Sequence, residues 1–252
     1  MNQPLANKIA FITGGARGIG RATALKLAGA GCDVAIAYHN SHEEAGEVCN
    51  AVRALGRRAM ATQADVSDPT SVAEAFEEFR KQFDRVDIVV SNAAIGVLKP
   101  AMELSLKHFR RCMETNALAL NSLAQNAVPL MPGGGCIIGL SSLGSLRAIP
   151  HYAYIGASKA ALESLARALA QELGHTKKIR VNIVSAGVVD TDALKYFPNR
   201  EELLAESARR TPLGGTLTPS QVADAVYLLC LPEAAMINGH TLVVDGGYCI
   251  SG

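Results

Sequence analysis

Thr13-Gly14-Gly15-Ala16-Arg17-Gly18-Ile19-Gly20 follows an apolar run, Ile9 to Thr13, and opens a helical stretch that continues to about Gly29. Glycines here permit a tight turn and a close backbone approach to a bound group. The helix amino terminus adds unbonded N–H groups and the positive end of a dipole. Strand, glycine-rich turn and helix in that order predict a pyrophosphate cradle, so Gly14, Gly18, Ile19 and Gly20 are read as dinucleotide-binding positions. A turn that merely connects two elements is the blander alternative, and its place near the amino terminus between strand and helix weighs against it.

Outward from this loop, short apolar runs recur with helical stretches between them, as in a parallel sheet covered on both faces. Strands are expected near Ile9 to Thr13, Val34 to Tyr38, Ala59 to Gln63, Ile88 to Ser91, Cys136 to Leu140, Val181 to Val184 and Thr241 to Val244. Right-handed crossovers would wind them into an α/β, Rossmann-like, doubly wound sheet with its ligand crevice beyond the carboxyl ends of the strands. No linker, repeat or low-complexity stretch divides the chain, so residues 1–252 are read as a single domain.

A formal net charge of +1 gives no electrostatic handle for nucleic acid or an anionic membrane, and neither partner is expected. Met1 to Lys8 is too short and polar for a signal peptide and no apolar run approaches a membrane span, so a cytoplasmic protein is expected. The six cysteines lack Cys-x-x-Cys spacing and the histidines lack ligand spacing, so no metal site or disulfide framework is predicted. Reduced, mostly buried thiols are expected.

The second strand ends Ala37-Tyr38-His39-Asn40, without the acidic residue that would bond ribose hydroxyls and repel a 2′-phosphate. Arg17 can pair with that phosphate, with His39 or Asn40 beside it, which favours NADPH over NADH. Asp65-Val66, after the third strand, can hold the adenine, although Asp65 can also cap the helix that begins near Pro69. The segment from Thr191 to Leu217 holds Pro198, Pro212, Gly214 and Gly215, with a short helical pattern around Glu201 to Ala208, and is read as a substrate lid.

Two tyrosines precede Lys159, Tyr152 by seven residues and Tyr154 by five, and Ile155 stands four before it. At about 100° per residue, Tyr152 lies about 20° from the lysine's direction and Tyr154 about 140° away. If one helix runs from Tyr152 through Leu173, Tyr152 and Lys159 serve one site. Tyr154 is then a packing or lid residue.

The chain resembles the short-chain dehydrogenase/reductase family over nearly its whole length. The resemblance rests on the Thr13 to Gly20 loop, Asn92-Ala93-Ala94, Asn116, Ser141-Ser142, Lys159 and Asp245-Gly246-Gly247. It implies that Asn92 helps hold the adenosine side of the crevice, that Lys159 bonds the nicotinamide ribose, and that Val188 to Thr191 contact the nicotinamide amide. Within the family, Leu140 to Tyr152 with Lys159 is similar to the enoyl-acyl carrier protein reductases, in which six residues separate tyrosine and lysine. The run Asp192-Ala193-Leu194-Lys195-Tyr196-Phe197-Pro198-Asn199-Arg200-Glu201 resembles the NADPH-dependent third type of these enzymes. Two departures are Ser91-Asn92-Ala93-Ala94 for the common Asn-Asn-Ala-Gly, and Ser185-Ala186-Gly187 without the usual proline.

A ketone takes hydride at its carbonyl carbon, whereas an enoyl thioester takes it at the β-carbon and gathers charge on an oxygen two carbons further on. A donor three residues earlier lies about 4.5 Å further along a helix, the right sense for that change. The expected catalytic set is therefore Tyr152 as donor to the enolate oxygen, Lys159 as ribose anchor and nearby positive charge, and Ser142 as support for the tyrosine or the acyl carbonyl. The expected substrate is a trans-2-acyl thioester on acyl carrier protein or coenzyme A, in fatty-acid synthesis. The resemblance implies a homotetramer built on helices from about Ser105 to Val128 and Tyr152 to Leu173. Arg200, Arg209 and Arg210 can meet an acidic carrier protein or be solvated charges. The competing readings are a ketoreductase on a 3-oxoacyl thioester or other carbonyl, and a non-catalytic NADP-sensing regulator.

Overall fold

The computed structural model describes residues 3–191, 194 and 200–251. Among them the apolar runs form strands β1 (Ile9–Thr13), β2 (Asp33–Tyr38), β3 (Ala59–Gln63), β4 (Ile88–Ser91), β5 (Gly135–Ser142), β6 (Ile179–Ala186) and β7 (Thr241–Val244). They make one parallel sheet in the order β3-β2-β1-β4-β5-β6-β7. The order reverses between β1 and β4, which opens a crevice beyond their carboxyl ends. Strands β5 and β6 run past their apolar centres because polar residues still pair there, Ser141 with Ser185 and Ser142 with Ala186.

The helices are α1 (Gly18–Gly29), α2 (His42–Ala54), α3 (Pro69–Arg80), α4 (Leu106–Met113), α5 (Ala119–Ala127), α6 (Ala153–Lys177), α7 (Arg200–Arg210) and α8 (Pro219–Cys230). Side chains alternate across each strand, and β1 shows the consequence. Ala10 and Ile12 join Leu27, Val48 and Val226 from α1, α2 and α8 on one face. Ile9 and Phe11 join Phe76, Leu123 and Leu162 from α3, α5 and α6 on the other. Phe11 stacks on Phe76 with centroids 4.5 Å apart and meets Phe79 edge-on at 5.6 Å. All three rings are almost fully buried, so truncating Phe11 to alanine should cost about 3–5 kcal/mol.

Three sequence expectations need correction. Helix α6 begins at Ala153, and Tyr152 is its N-cap at φ −113° and ψ 12°, preceded by His151 at φ 61°. The tyrosine is thus placed by the entry to the helix, and helical phase alone does not fix it. The helix expected from Ser105 to Val128 is divided by a π-helical turn, Glu114–Leu118, which rotates the two halves relative to each other. The cap of α3 is Asp68, whose side chain accepts from the Thr70 N–H. Asp65 instead accepts from the N–H and hydroxyl of Ser67 at 2.9 and 2.6 Å.

The ends of the expected lid are joined, since Val189 bridges Leu217 and the Asp190 N–H donates to the Leu217 carbonyl at 3.3 Å. Between them lies α7, which begins one residue before the helical pattern read from the sequence and ends two residues after it. Asp192, Ala193, Lys195, Tyr196, Phe197, Pro198 and Asn199, which carry most of the resemblance in this segment, lie outside the described residues. No helix among the described residues is long and apolar enough to cross a membrane.

Candidate active site

The phosphate loop is held by the residues that follow β4. Thr13 Oγ1 accepts from the N–H groups of Asn92 and Ala93 at 3.0 and 3.1 Å, and Asn92 Nδ2 donates to the carbonyls of Thr13 and Gly14 at 3.0 and 3.1 Å. Asn92 therefore acts on the crevice through the loop it braces. Gly14 sits at φ +62°, and a Cβ on Gly20 would lie 2.1 Å from the Gly14 carbonyl oxygen. Backbone cannot yield that much, so only glycine lets the loop fold onto the first turn of α1. Ile19 is half-buried there and packs against the core. The cradle thus fits a pyrophosphate at a helix amino terminus.

The remaining cofactor candidates border this cradle unequally. Arg17 is exposed at the N-cap of α1 and makes no side-chain cap bond. His39, also exposed, lies 3.8 Å from the Asp65 carboxylate. The Ser67 hydrogen bonds, with His39 and Arg111 nearby, hold the Asp65 carboxyl below its ordinary range. Val66 has its side chain in the core, so any contact with a nucleotide would come from its backbone. Across the crevice Val188 is half-buried. The Thr191 side chain stands beside Gly18, 3.6 Å from where a Cβ would be, so the segment after β6 meets the phosphate loop.

The catalytic candidates collect at the end of β5 and the start of α6. Ser142 Oγ and Tyr152 Oη lie 3.2 Å apart. A Cβ on Gly144 would fall 2.6 Å from the Tyr152 ring, and one on Gly156 would fall 2.5 Å from the Gly144 carbonyl oxygen. Two glycines therefore let α6 and the tyrosine ring close onto the turn after β5. Burial pushes the Tyr152 phenol above its ordinary pKa, opposed in part by the Ser142 hydrogen bond. It is protonated at neutral pH and able to donate.

Lys159 is buried, and its Nζ donates to the Leu140 carbonyl at 2.7 Å. Burial lowers it to about 8. Lysine and tyrosine flank one strand end without a direct hydrogen bond among the described residues. Ile155 packs into the space left by Gly96, where a Cβ would lie 2.2 Å from Ile155 Cδ1. Tyr154 turns elsewhere, its hydroxyl 3.4 Å from the Leu104 carbonyl and its ring edge-on to Phe109 at 5.3 Å.

In the sequence Asn116 carried part of the family resemblance, with no contact assigned to it. The π turn directs its side chain inward, where Oδ1 accepts from the Ile95 N–H at 2.8 Å and Nδ2 donates to the Ile95 carbonyl and Ser158 Oγ at 2.8 and 2.9 Å. It ties the loop after β4 to Ser158, the residue that precedes Lys159. Thr13, quoted only as the start of the phosphate loop, was given no role, and Glu163 was missed. Thr13 reads as the end of a strand and Glu163 as an ordinary helical charge, so neither carried a signal of its own. Among the described residues no cluster of potential metal ligands occurs, and all six cysteines are free, five of them buried.

A family model described as enoyl-(acyl carrier protein) reductase matches residues 14–249. A 1-cyclohexenylcarbonyl-CoA reductase of Streptomyces collinus is 38% identical over 96% of this chain and 87% of its own. A hydroxynaphthalene reductase-like protein of Metarhizium anisopliae is 35% identical over 96% and 95%. Among solved structures, a short-chain dehydrogenase of Burkholderia cenocepacia in complex with NADP superposes with a TM-score of 0.89 at 36% identity, covering 98% of this chain and 99% of the other.

Proposed function

This chain belongs to the short-chain dehydrogenase/reductase family, and we propose that it is an NADPH-dependent reductase of trans-2-enoyl thioesters in fatty-acid synthesis. One observation carries the reading. The phenol bonded to Ser142 comes from Tyr152, seven residues before Lys159, while the position four before the lysine is filled by Ile155.

The cofactor is held by the Gly14 to Gly20 cradle and by Lys159, with Arg17 placed to meet a 2′-phosphate. When bound, NADPH supplies the hydride that adds to the β-carbon of the substrate. Tyr152 donates a hydrogen bond, and then its proton, to the thioester oxygen on which negative charge gathers, giving an enol that tautomerises to the saturated thioester while a solvent proton restores the phenol. Ser142 Oγ orients that phenol and can return a hydrogen bond to it. Lys159 contributes the positive charge that favours the developing enolate. The lid excludes water from this place and completes the acyl pocket. A preorganised donor of this kind supplies roughly 3–4 kcal/mol of barrier reduction.

Support comes from two directions. The matched family model is described as an enoyl reductase, and the S. collinus relative is named for a substrate with a ring double bond beside a thioester carbonyl. A structure neighbour carries NADP. The hydroxynaphthalene reductase-like relative is named for a substrate that is no thioester, and it supports the second reading, a ketoreductase with Ser142 and Tyr152 as its donor pair. The deciding experiment follows NADPH absorbance with a trans-2-enoyl thioester and, separately, with a 3-oxoacyl thioester. Much faster turnover of the enoyl substrate is expected, and equal or reversed preference removes the proposal. Carrier-protein and coenzyme A forms of the enoyl substrate, run side by side, identify the thioester carrier.

A further inference from the structure

Helix α6 buries two opposite charges one turn apart. Lys159 and Glu163 are each 6% exposed, and residues four apart lie on the same helix face. Both reach the end of β5. Lys159 Nζ donates to the carbonyl of Leu140, and the Glu163 carboxylate accepts from the hydroxyl of the next residue, Ser141, at 2.5 Å. Ammonium and carboxylate are therefore drawn toward consecutive residues of one strand. No salt-bridge contact within 4.0 Å joins the two to each other, or either to a further side chain among the described residues, so Glu163 acts on Lys159 through its field and not through a direct bond. A carboxylate taken out of water with a single hydroxyl for company calls for a compensating charge.

We propose that Glu163 is a positioning residue that keeps Lys159 in its ammonium form, with Ser141 holding the carboxylate in place. The inference rests on the reading that Lys159 anchors the nucleotide ribose, since a neutral amine there would lose both a donor and the favourable charge.

The other groups around Lys159 do not provide that charge. Helix α4 contributes the Cys112 thiol, which burial pushes above its ordinary pKa, so near pH 8 it is neutral. The π turn contributes the Asn116 amide, bonded to Ser158, while Glu114 of the same turn is exposed. Strand β5 contributes the hydroxyl of Ser141, which is given to Glu163, and the N-cap contributes the Tyr152 phenol, which burial keeps protonated. Burial is the largest influence on Lys159 and lowers it, while Cys112, when ionised, and Glu163 raise it. Glu163 is the carboxylate that opposes the loss of the proton.

The test is a pH titration of Lys159 by heteronuclear NMR on lysine-labelled, ligand-free protein, with the resonance assigned by Lys159→Arg. Glu163→Gln preserves the volume and an acceptor for Ser141 while removing the charge. Its Lys159 midpoint should fall by about 1 unit or more, the usual effect of one opposite charge at close range. An unchanged midpoint overturns the proposal. If Glu163→Gln does not fold, the double variant Lys159→Met, Glu163→Gln decides the matter, because removing both charges leaves neither stranded. A folded double variant supports the pairing, and one that also fails to fold overturns it. NADPH titration of Glu163→Gln, read by nucleotide fluorescence, keeps the two readings apart. Affinity should be lost at a lower pH, in step with the lysine. A lowered midpoint with unaltered NADPH binding leaves the charge pairing standing and removes Lys159 as the anchor.

Discussion

The hydroxyls of Ser142 and Tyr152 stand 3.2 Å apart, joining the last residue of β5 to the residue that caps α6. This bond fixes the phenol at the edge of the crevice formed where the strand order reverses, close to the lysine whose ammonium the site needs. Burial keeps the phenol protonated, so the pair presents a donor at neutral pH with its orientation already set.

Arg17 caps α1 in an extended conformation without a side-chain bond to the helix, so its loss should leave stability unaltered. Arg17→Ala is expected to cut the NADPH-to-NADH preference in kcat/KM by roughly 10-fold or more, the scale of one charge-assisted hydrogen bond. Steady-state kinetics with both nucleotides, beside a thermal melt, check this. An unaltered ratio shows that another group reads the 2′-phosphate.

Gly20→Ala should abolish cofactor binding. The new Cβ would meet the Gly14 carbonyl oxygen at 2.1 Å and Asn92 Nδ2 at 2.7 Å, the acceptor and donor that together close the loop. The rise in melting temperature that NADPH gives the wild-type protein should disappear in the variant. A variant that keeps that rise shows a more yielding loop than the geometry allows.

Much of this arrangement was legible in the sequence, for identifiable reasons. Buried parallel strands must be apolar on both faces, so β1 and β4 stand out as short runs such as Ile88 to Ser91. The glycine loop is equally plain, because few other turns demand that residue type so often. What the sequence conceals is local irregularity. The π turn at Glu114–Leu118 leaves no mark in the apolar pattern, yet it turns Asn116 inward. His151 takes a positive φ without being glycine, so the start of α6 and the setting of Tyr152 could not be read from helical phase. Asp65 and Asp68 are both plausible caps by type, and only the fold chooses the second. Glu163 has the look of a solvated helical charge until tertiary packing buries it against Ser141.

Lys159 should leave a signature in stability. Its pKa falls from 10.5 to about 8 on folding, because burial disfavours the ammonium. Between those two values the unfolded chain binds more protons than the folded one, so the lysine's contribution to stability rises with pH across that window. Below it, both states hold the proton and the cost is constant. Tyr152 acts in the opposite sense at the alkaline end, since its phenol keeps in the folded state a proton that the unfolded chain gives up. Urea unfolding of wild type and Lys159→Met across the range isolates the lysine. Their difference in free energy should move in favour of wild type from the lower value to the higher, and a flat difference contradicts the depressed lysine.

Helix α4 and the π turn leave Leu106, Phe109 and Leu118 at 59%, 36% and 48% exposure, a run of apolar surface on the elements from which we expect a homotetramer to be built. Light scattering at micromolar concentration should return four chain masses. A fully active monomer contradicts that assembly.

The central claim is that Tyr152, and not Tyr154, is the proton donor, and the two single hydroxyl deletions test it most directly. With a trans-2-enoyl thioester as substrate, Tyr152→Phe should lower kcat by roughly 10²-fold or more, the scale seen when one preorganised oxyanion donor is removed, while the NADPH dissociation constant stays nearly unchanged. Tyr154→Phe loses one long bond to the Leu104 carbonyl and should stay within a few-fold of wild type. A crippled Tyr154→Phe beside an active Tyr152→Phe would contradict the assignment of the donor and, with it, the enoyl reductase reading.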